Sequence, residues 1–270
     1  MQNQDQAAPA PEAIRSHDQL ASMWQVITAD RGEADLCELA GLTIRWADNR
    51  FPFWNTLIFS EQNADHKRAA EILDLASAYM RSRCQPGLIW ICEEFLAPSV
   101  RAKLPDIAAE KGLAFSMICH GMEGDFLPIS KPSHPALSFV RATTEELMLA
   151  YGEINAASYG WEPEIGHAGL QWSPLWKQRM QAWLALEDGM PVSAAATIAN
   201  QDCLFVALVA TTPAAQRKGY GEATTRMALY EGARETGLKC AVLHATDAGM
   251  PVYRRIGFEK VANFHLYGLA

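Results

Sequence analysis

The chain has 270 residues, of which 49% are hydrophobic and 20% charged, and its formal net charge is −8. That length allows two domains, or two halves of one larger unit, with the composition of a soluble globular protein. No wide basic face exists to neutralise phosphates and no apolar run approaches a membrane span, so neither nucleic acid nor membrane is expected as a partner.

The first residues, MQNQDQAAPAPEA, carry no basic residue and no apolar signal core. Residues 1–13 therefore read as a flexible tail and the location as cytoplasmic. Cys37, Cys84, Cys92, Cys119, Cys203 and Cys240 are scattered, with no Cys-x-x-Cys pair and no metal-ligand array with histidine. They are expected to be reduced core residues, and no metal is expected.

Residues 14–28 place Leu20, Met23, Trp24 and Ile27 at helical spacing, with Ser16 as the capping residue. Residues 42–46 and 54–59 read as strands. A long amphipathic helix follows over 65–82, then a strand at 88–92, a helix over 98–111 stopped by Gly112, and a strand at 114–121. Three prolines and no periodicity mark residues 127–136 as a linker between a first half, 14–126, and a second, 137–270.

In the second half, residues 137–141 form a short strand and Thr143-Thr144-Glu145-Glu146 opens a helix that carries Leu147, Leu149 and Ile154. Residues 158–167 read as an irregular aromatic segment with Tyr159, Trp161, Glu162, Glu164 and His167. A hairpin turns at Asp188-Gly189 between strands at 182–187 and 191–198. Residues 203–210 are almost continuously apolar and read as a buried strand, which Thr211-Thr212-Pro213 ends. An amphipathic helix begins at Glu222 and closes at Gly237, and 239–245 is the next strand.

Between strand and helix lies Gln216-Arg217-Lys218-Gly219-Tyr220-Gly221. Two glycines at a helix start let the backbone approach a ligand, and the free N–H groups of the first turn with Arg217 and Lys218 suit a pyrophosphate. The glycines alone fit a plain strand-to-helix turn equally well. No Gly-Lys-Ser/Thr occurs, and Thr224 stands where a dinucleotide fingerprint needs its third glycine.

The order strand, Pro213, Gln216-x-x-Gly219-x-Gly221, helix resembles the acyl-CoA-binding motif of the GNAT superfamily of N-acetyltransferases, Gln/Arg-x-x-Gly-x-Gly/Ala. Further on, Tyr253-Arg-Arg-Ile-Gly257-Phe258 is similar to the family's Tyr-x-x-x-Gly-Phe ending. The resemblance covers residues 137–270. It implies an α/β fold with a mixed, largely antiparallel sheet flanked by helices, and acetyl-CoA as co-substrate for transfer to a primary amine of a small molecule, with no metal and no covalent enzyme intermediate.

By the same resemblance, Val209, Ala210 and Thr211 form the strand end that polarises the acyl carbonyl, and Gln216 to Gly221, including Arg217, Lys218 and Tyr220, cradle the pyrophosphate. Tyr253 protonates the departing thiolate, and Thr246 either hydrogen-bonds the pantetheine or caps a helix. The segment from Ser158 to His167 falls at the family's acceptor loop, where its residues either line the pocket or pack the loop down. No base is assigned: Glu162, Glu164, His167 and His244 are candidates, or the amine arrives neutral. His244 suits a core histidine better. The strand before the cradle lacks the acid that some members place there, which leaves a non-catalytic acyl-CoA sensor as the alternative.

The strand-helix-strand-helix-strand order of the first half matches that of the second from Cys203 onward. The first half has Ser60-Glu61-Gln62-Asn63-Ala64-Asp65 where a cradle would be, with no glycine and two acids. It reads as a degenerate acetyltransferase-like half or as an unrelated α/β cap. A monomer or homodimer is expected.

Overall fold

The computed structural model describes residues 8–270; residues 1–7 of the expected tail lie outside the described residues. The chain divides into two compact units, one running to Gly121 together with Ala245–Asp247 and Lys260–Ala270, the other Met122–His244 together with Ala248–Glu259. In chain order the elements are α1 (Pro11–Ala29), β1 (Asp35–Leu39), β2 (Leu42–Trp46), β3 (Asn55–Phe59), α2 (His66–Arg81), β4 (Leu88–Cys92), α3 (Pro98–Arg101), α4 (Leu104–Glu110) and β5 (Leu113–Gly124). Then come β6 (Ser138–Arg141), α5 (Glu145–Ser158), α6 (Pro163–Gly169), α7 (Pro174–Gln178), β7 (Met180–Glu187), β8 (Met190–Asn200) and β9 (Cys203–Thr211). The last four are α8 (Tyr220–Thr236), β10 (Cys240–Thr246), α9 (Met250–Ile256) and β11 (Glu259–Leu269).

Proline explains three departures from the expected elements. Pro11 opens α1 at a position where its missing N–H needs no partner, so Ser16 lies buried inside the helix and does not cap it. Pro105 cannot sit inside a continuous helix, so the expected 98–111 helix is two, with Pro105 in the first turn of α4. The expected irregular stretch 158–167 contains most of α6, which Glu162 precedes, Pro163 starts and Glu164 follows in the first turn. Strands β1 and β11 were not expected; β1 is half-exposed to exposed along its whole length and gives no alternation to detect.

In the first unit the strand order is β1-β2-β3-β4-β11-β5, so the chain's last strand lies here. β3 and β4 run parallel in unbroken register from Thr56↔Leu88 to Phe59↔Ile91, and β11 is antiparallel to β4. Strand alternation divides the side chains between two faces. Leu57, Phe59, Ile89 and Ile91 join Ile72, Leu73 and Ala76 of α2 in one core, while Trp90 packs with Trp24 of α1, which also meets Trp54. Each such fully buried apolar side chain contributes about 1.5–3 kcal/mol relative to exposure.

In the second unit the order is β10-β9-β8-β7-β6, antiparallel except for the parallel β9–β10 pair. Asp188 and Gly189 take φ of 51° and 81° in the β7–β8 hairpin, as a two-residue turn between twisted strands demands. Thr144 caps α5 by accepting from the Leu147 N–H, as expected. Cys203 and Cys240 correct the expectation of six reduced cysteines. They stand opposite each other in the β9–β10 register, with Cα atoms 4.6 Å apart, and form a disulfide.

Helix α8 lies close against β7, β8 and β9. Thr197 on β8 donates to the Ala228 carbonyl at 3.0 Å, and a Cβ on Gly232 would stand 2.6 Å from the Thr197 hydroxyl oxygen and 3.0 Å from Leu204. Replacing glycine by alanine inside an exposed helix favours the helix by about 1 kcal/mol. Here the buried, β-branched Thr197 cannot retreat without losing its hydrogen bond, so overpacking, typically ~1–3 kcal/mol, wins. Gly232→Ala is expected to lower the thermal midpoint; a raised midpoint would show that α8 does not approach so closely.

Candidate functional site

The site grows from an irregularity in β9. Its pairing with β8 runs Ala196↔Ala207 and then Ala194↔Ala210, so Leu208 and Val209 oppose the single residue Ala195. Leu208 takes φ of 56°, the left-handed backbone of a bulge. The turned carbonyl of Leu208 accepts from the Tyr151 hydroxyl at 3.0 Å and from Asn155 Nδ2 at 3.3 Å. Both donors come from α5 and both are buried, so the hydrogen bonds form out of water and hold the bulge in place. Register between β9 and β10 extends only from Cys203↔Cys240 to Phe205↔Val242. Beyond Phe205, β9 has no register partner in β10, and a bulged strand with an unpaired side presents backbone N–H and C=O groups.

Val209, Ala210 and Thr211 make up that strand end. Val209 and Thr211 are half-buried and Ala210 is buried. Ser193 secures the end by donating to the Ala210 carbonyl at 3.0 Å and by a 2.9 Å contact with the Thr211 hydroxyl.

The chain then makes a short 3₁₀ turn at Pro213–Ala215, and exposed Gln216 reaches back to the Thr211 carbonyl at 3.3 Å. Arg217 and Gly219 take φ of 63° and 84°, and α8 starts at Tyr220, two residues before the expected Glu222. Alternating left-handed residues before a helix turn backbone N–H groups toward one concavity. No side chain caps α8, so its first-turn N–H groups stay available to an anion, with the helix dipole behind them. Gly221 sits at a close approach: a Cβ there would lie 3.1 Å from the Thr211 hydroxyl oxygen, which would have to give by a few tenths of an ångström. Glu222, the acid nearest this helix start, is offset by Arg226 at 3.0 Å and Arg255 at 2.9 Å.

Lys218 and Tyr220 also bond to a residue outside the loop. The Lys218 ammonium contacts both Glu187 carboxylate oxygens, at 3.3 and 3.2 Å, and the Tyr220 hydroxyl donates to the same carboxylate. The hydrogen bond to Glu187 pushes the Tyr220 phenol up to about 12, and Tyr220 and then Lys218 hold Glu187 below its usual range. Glu187 thus anchors the cradle to the β7–β8 hairpin. Its importance was not visible in sequence, where it only closed a strand.

Tyr253 lies on α9, 9% exposed, edge-on to Phe258 with ring centroids 6.0 Å apart. The helix stops at Gly257, whose φ is 130°, and the N–H groups of both Gly257 and Phe258 return to the Tyr253 carbonyl at 3.1 Å. This gives the Tyr-x-x-x-Gly-Phe spacing its physical content. Burial pushes the Tyr253 phenol well above its ordinary value, and Tyr159 adds to the shift; Tyr151 is raised by burial and then by Tyr253. Tyr253 of α9 thus interacts with Tyr151 of α5 and with Tyr159 just after it.

The remaining candidates separate. Tyr159 and Trp161 stack at 4.8 Å, Glu162 and Glu164 are exposed at the start of α6, and His167 pairs with Glu153 at 3.0 Å. His244 stacks on Phe205 at 5.8 Å, in keeping with a core role. Thr246 ends β10, half-buried, within the first compact unit. Tyr151 and Asn155 were not singled out in sequence, although their i,i+4 spacing puts both on one helical face. No group of His, Cys, Asp and Glu among the described residues is placed to hold a metal ion, and no described helix is long and apolar enough to cross a membrane.

The strand-to-helix turn between β3 and α2 in the first unit is built differently. Asp65 caps α2 by accepting from the Arg68 N–H at 2.8 Å, and Glu61 pairs with Arg68 at 3.0 Å. A carboxylate of the chain itself takes the helix start, and β3 stays paired with β4 to its last residue.

Residues 169–265 match the family described as the acetyltransferase (GNAT) domain. Among solved structures, a GCN5-related N-acetyltransferase from Kribbella flavida is 19% identical with a TM-score of 0.69, over 94% of this chain and 95% of that one. One from Sphaerobacter thermophilus is 12% identical with a TM-score of 0.58, over 97% and 94%. A tandem GNAT protein from the clavulanic acid biosynthesis pathway is 13% identical with a TM-score of 0.52, over 79% and 74%. No curated protein matches the chain. The bulged strand and the uncapped glycine cradle both lie within residues 169–265, the stretch that matches the GNAT acetyltransferase family, and the chain has the α/β, mixed and largely antiparallel fold of GNAT structures.

Proposed function

We propose that this chain is an acetyl-CoA-dependent N-acetyltransferase that acts on a primary amine of a small molecule by direct transfer. The observation that carries the reading is the continuity of the unpaired β9 end with an uncapped cradle. In this reading residues 137–270 are the catalytic half and 14–126 a degenerate one, as the Asp65 cap and the closed β3–β4 pair suggest.

Transfer from a thioester needs the carbonyl polarised, the amine uncharged and the thiolate protonated as it leaves. In the proposal a backbone N–H within Val209–Thr211 supports the carbonyl oxygen. The amine lone pair forms the new C–N bond, the C–S bond breaks, the Tyr253 hydroxyl gives its proton to the sulfur, and the proton that the nitrogen then sheds, carried by water, restores the phenol. A phenol raised above its ordinary value of about 10 keeps that proton through the neutral range, so the donor is present wherever such an enzyme works. Acetyl-CoA binds at Gln216, Arg217, Lys218, Gly219, Tyr220 and Gly221, with Thr246 a further proposed contact. The stacked Tyr159–Trp161 pair and the Glu153–His167 pair would border the acceptor.

Two variants test the reading. Gly219→Glu puts a side chain on a residue at φ 84° and a negative charge in the cradle. Calorimetry is expected to show CoA binding lost while circular dichroism stays unchanged; undiminished affinity would refute the cradle. Tyr253→Phe keeps the ring packing and removes the proton, so KM for acetyl-CoA should hold while kcat falls by roughly 10²-fold, within the range of general acid catalysis. Unaltered turnover would remove Tyr253 from the mechanism. If CoA binds but no amine in a broad panel releases free thiol, the sensor reading replaces the enzyme.

A further inference from the structure

Lys218 shares Glu187 with Tyr220, and other side chains beside the loop can add to it in complementing the phosphates that the glycines admit. Arg217, exposed at the loop's left-handed corner, is one. The structure points to a second, from the proline-rich segment 127–136, which sequence reading treated only as a linker. His134 packs edge-on to the Tyr220 ring, with centroids 5.1 Å apart and planes at 87°. Its Nε2 is the nearest heavy atom to a Cβ built on Gly219, at 4.0 Å, so this nitrogen borders the glycine face of the loop.

The imidazole orientation follows from its other nitrogen. His134 Nδ1 accepts from the Ala136 N–H at 3.3 Å, so in the neutral ring the proton belongs on Nε2. The ring therefore turns an N–H donor toward the cradle. Pro132 and Pro135 flank it and limit how its backbone can move. Glu187 is the charged group it acts on, and Lys218 and Asp188 lie about the same Glu187–Tyr220 pair. Glu187 already has Lys218 and Tyr220, and an incoming phosphate would meet Arg217, the His134 N–H and the open amides of α8.

We propose that His134 is a phosphate-binding residue of the cofactor cradle, donating from Nε2 to a phosphate oxygen of CoA. The inference rests on the cradle reading and adds a specific side chain to it, contributed from outside the Gln216–Gly221 loop.

The test is calorimetric binding of CoA, 3′-dephospho-CoA and phosphate-free pantetheine to the full chain and to His134→Ala and His134→Gln. His134→Ala is expected to weaken CoA about tenfold, the scale of one hydrogen bond to a charged group, and to leave pantetheine unchanged. His134→Gln, which offers an amide donor, should recover most of the loss. A deficit that persists with 3′-dephospho-CoA assigns the donor to the diphosphate, and one that vanishes assigns it to the 3′-phosphate; both support the proposal. Equal CoA affinity in wild type and His134→Ala overturns it, as does an equal loss on pantetheine, which would mean that His134 only packs Tyr220. Failure of the wild type to bind CoA at all would instead sink the cradle reading, and this inference with it.

Discussion

The backbone carbonyl of Leu208 is the point on which the candidate site depends. A residue other than glycine at positive φ is strained, and it persists only where its surroundings over-determine it. Here two buried donors at i,i+4 on α5, Tyr151 and Asn155, hold the carbonyl, and the β8 pairing takes up the extra residue. The same strand has no register partner in β10 beyond Phe205, and it ends in Val209–Thr211. Ala194, Ala195 and Ala196 of the neighbouring strand are fully buried and small, so the same stretch of sheet has little side-chain bulk.

Electrostatics sets the cradle apart from an ordinary helix start. Acids close to it are answered locally: Glu222 by Arg226 and Arg255, Glu187 by Lys218 and Tyr220. In a chain with net charge −8 such pairing matters, because an unanswered carboxylate beside a phosphate site would oppose binding. The first unit shows the opposite arrangement. Asp65 fills the start of α2 with a carboxylate of its own, and the parallel strands beneath it stay paired.

Much of this was legible in sequence because it rests on local chemistry. Gly219 and Gly221 marked the turn into α8, Tyr253 to Phe258 a recognisable Tyr-x-x-x-Gly-Phe ending, and the glycine-free 60–65 loop a different kind of helix start. What could not be read depends on partners distant in the chain. Leu208 is an ordinary apolar residue in an apolar run until Tyr151 and Asn155 are seen to meet its carbonyl. Glu187 gains its role only when Tyr220 and Lys218 fold onto it, and His134 when the linker passes Gly219. The disulfide was missed for the same reason, since pairing Cys203 with Cys240 needs the register of two strands. Strand β11 was overlooked although Ala262, Phe264 and Leu266 alternate with Asn263 and His265, and packing assigns most of it to the first unit.

The most direct measurement is the stoichiometry of acetyl-CoA binding to the intact chain by titration calorimetry. The contrast between an open, uncapped cradle in the second unit and a self-capped, closed counterpart in the first predicts one equivalent per chain, abolished by Gly219→Glu. Two equivalents would show that the first unit also binds despite Asp65. No binding would mean that the β9 opening and the Gly219 loop serve the fold alone.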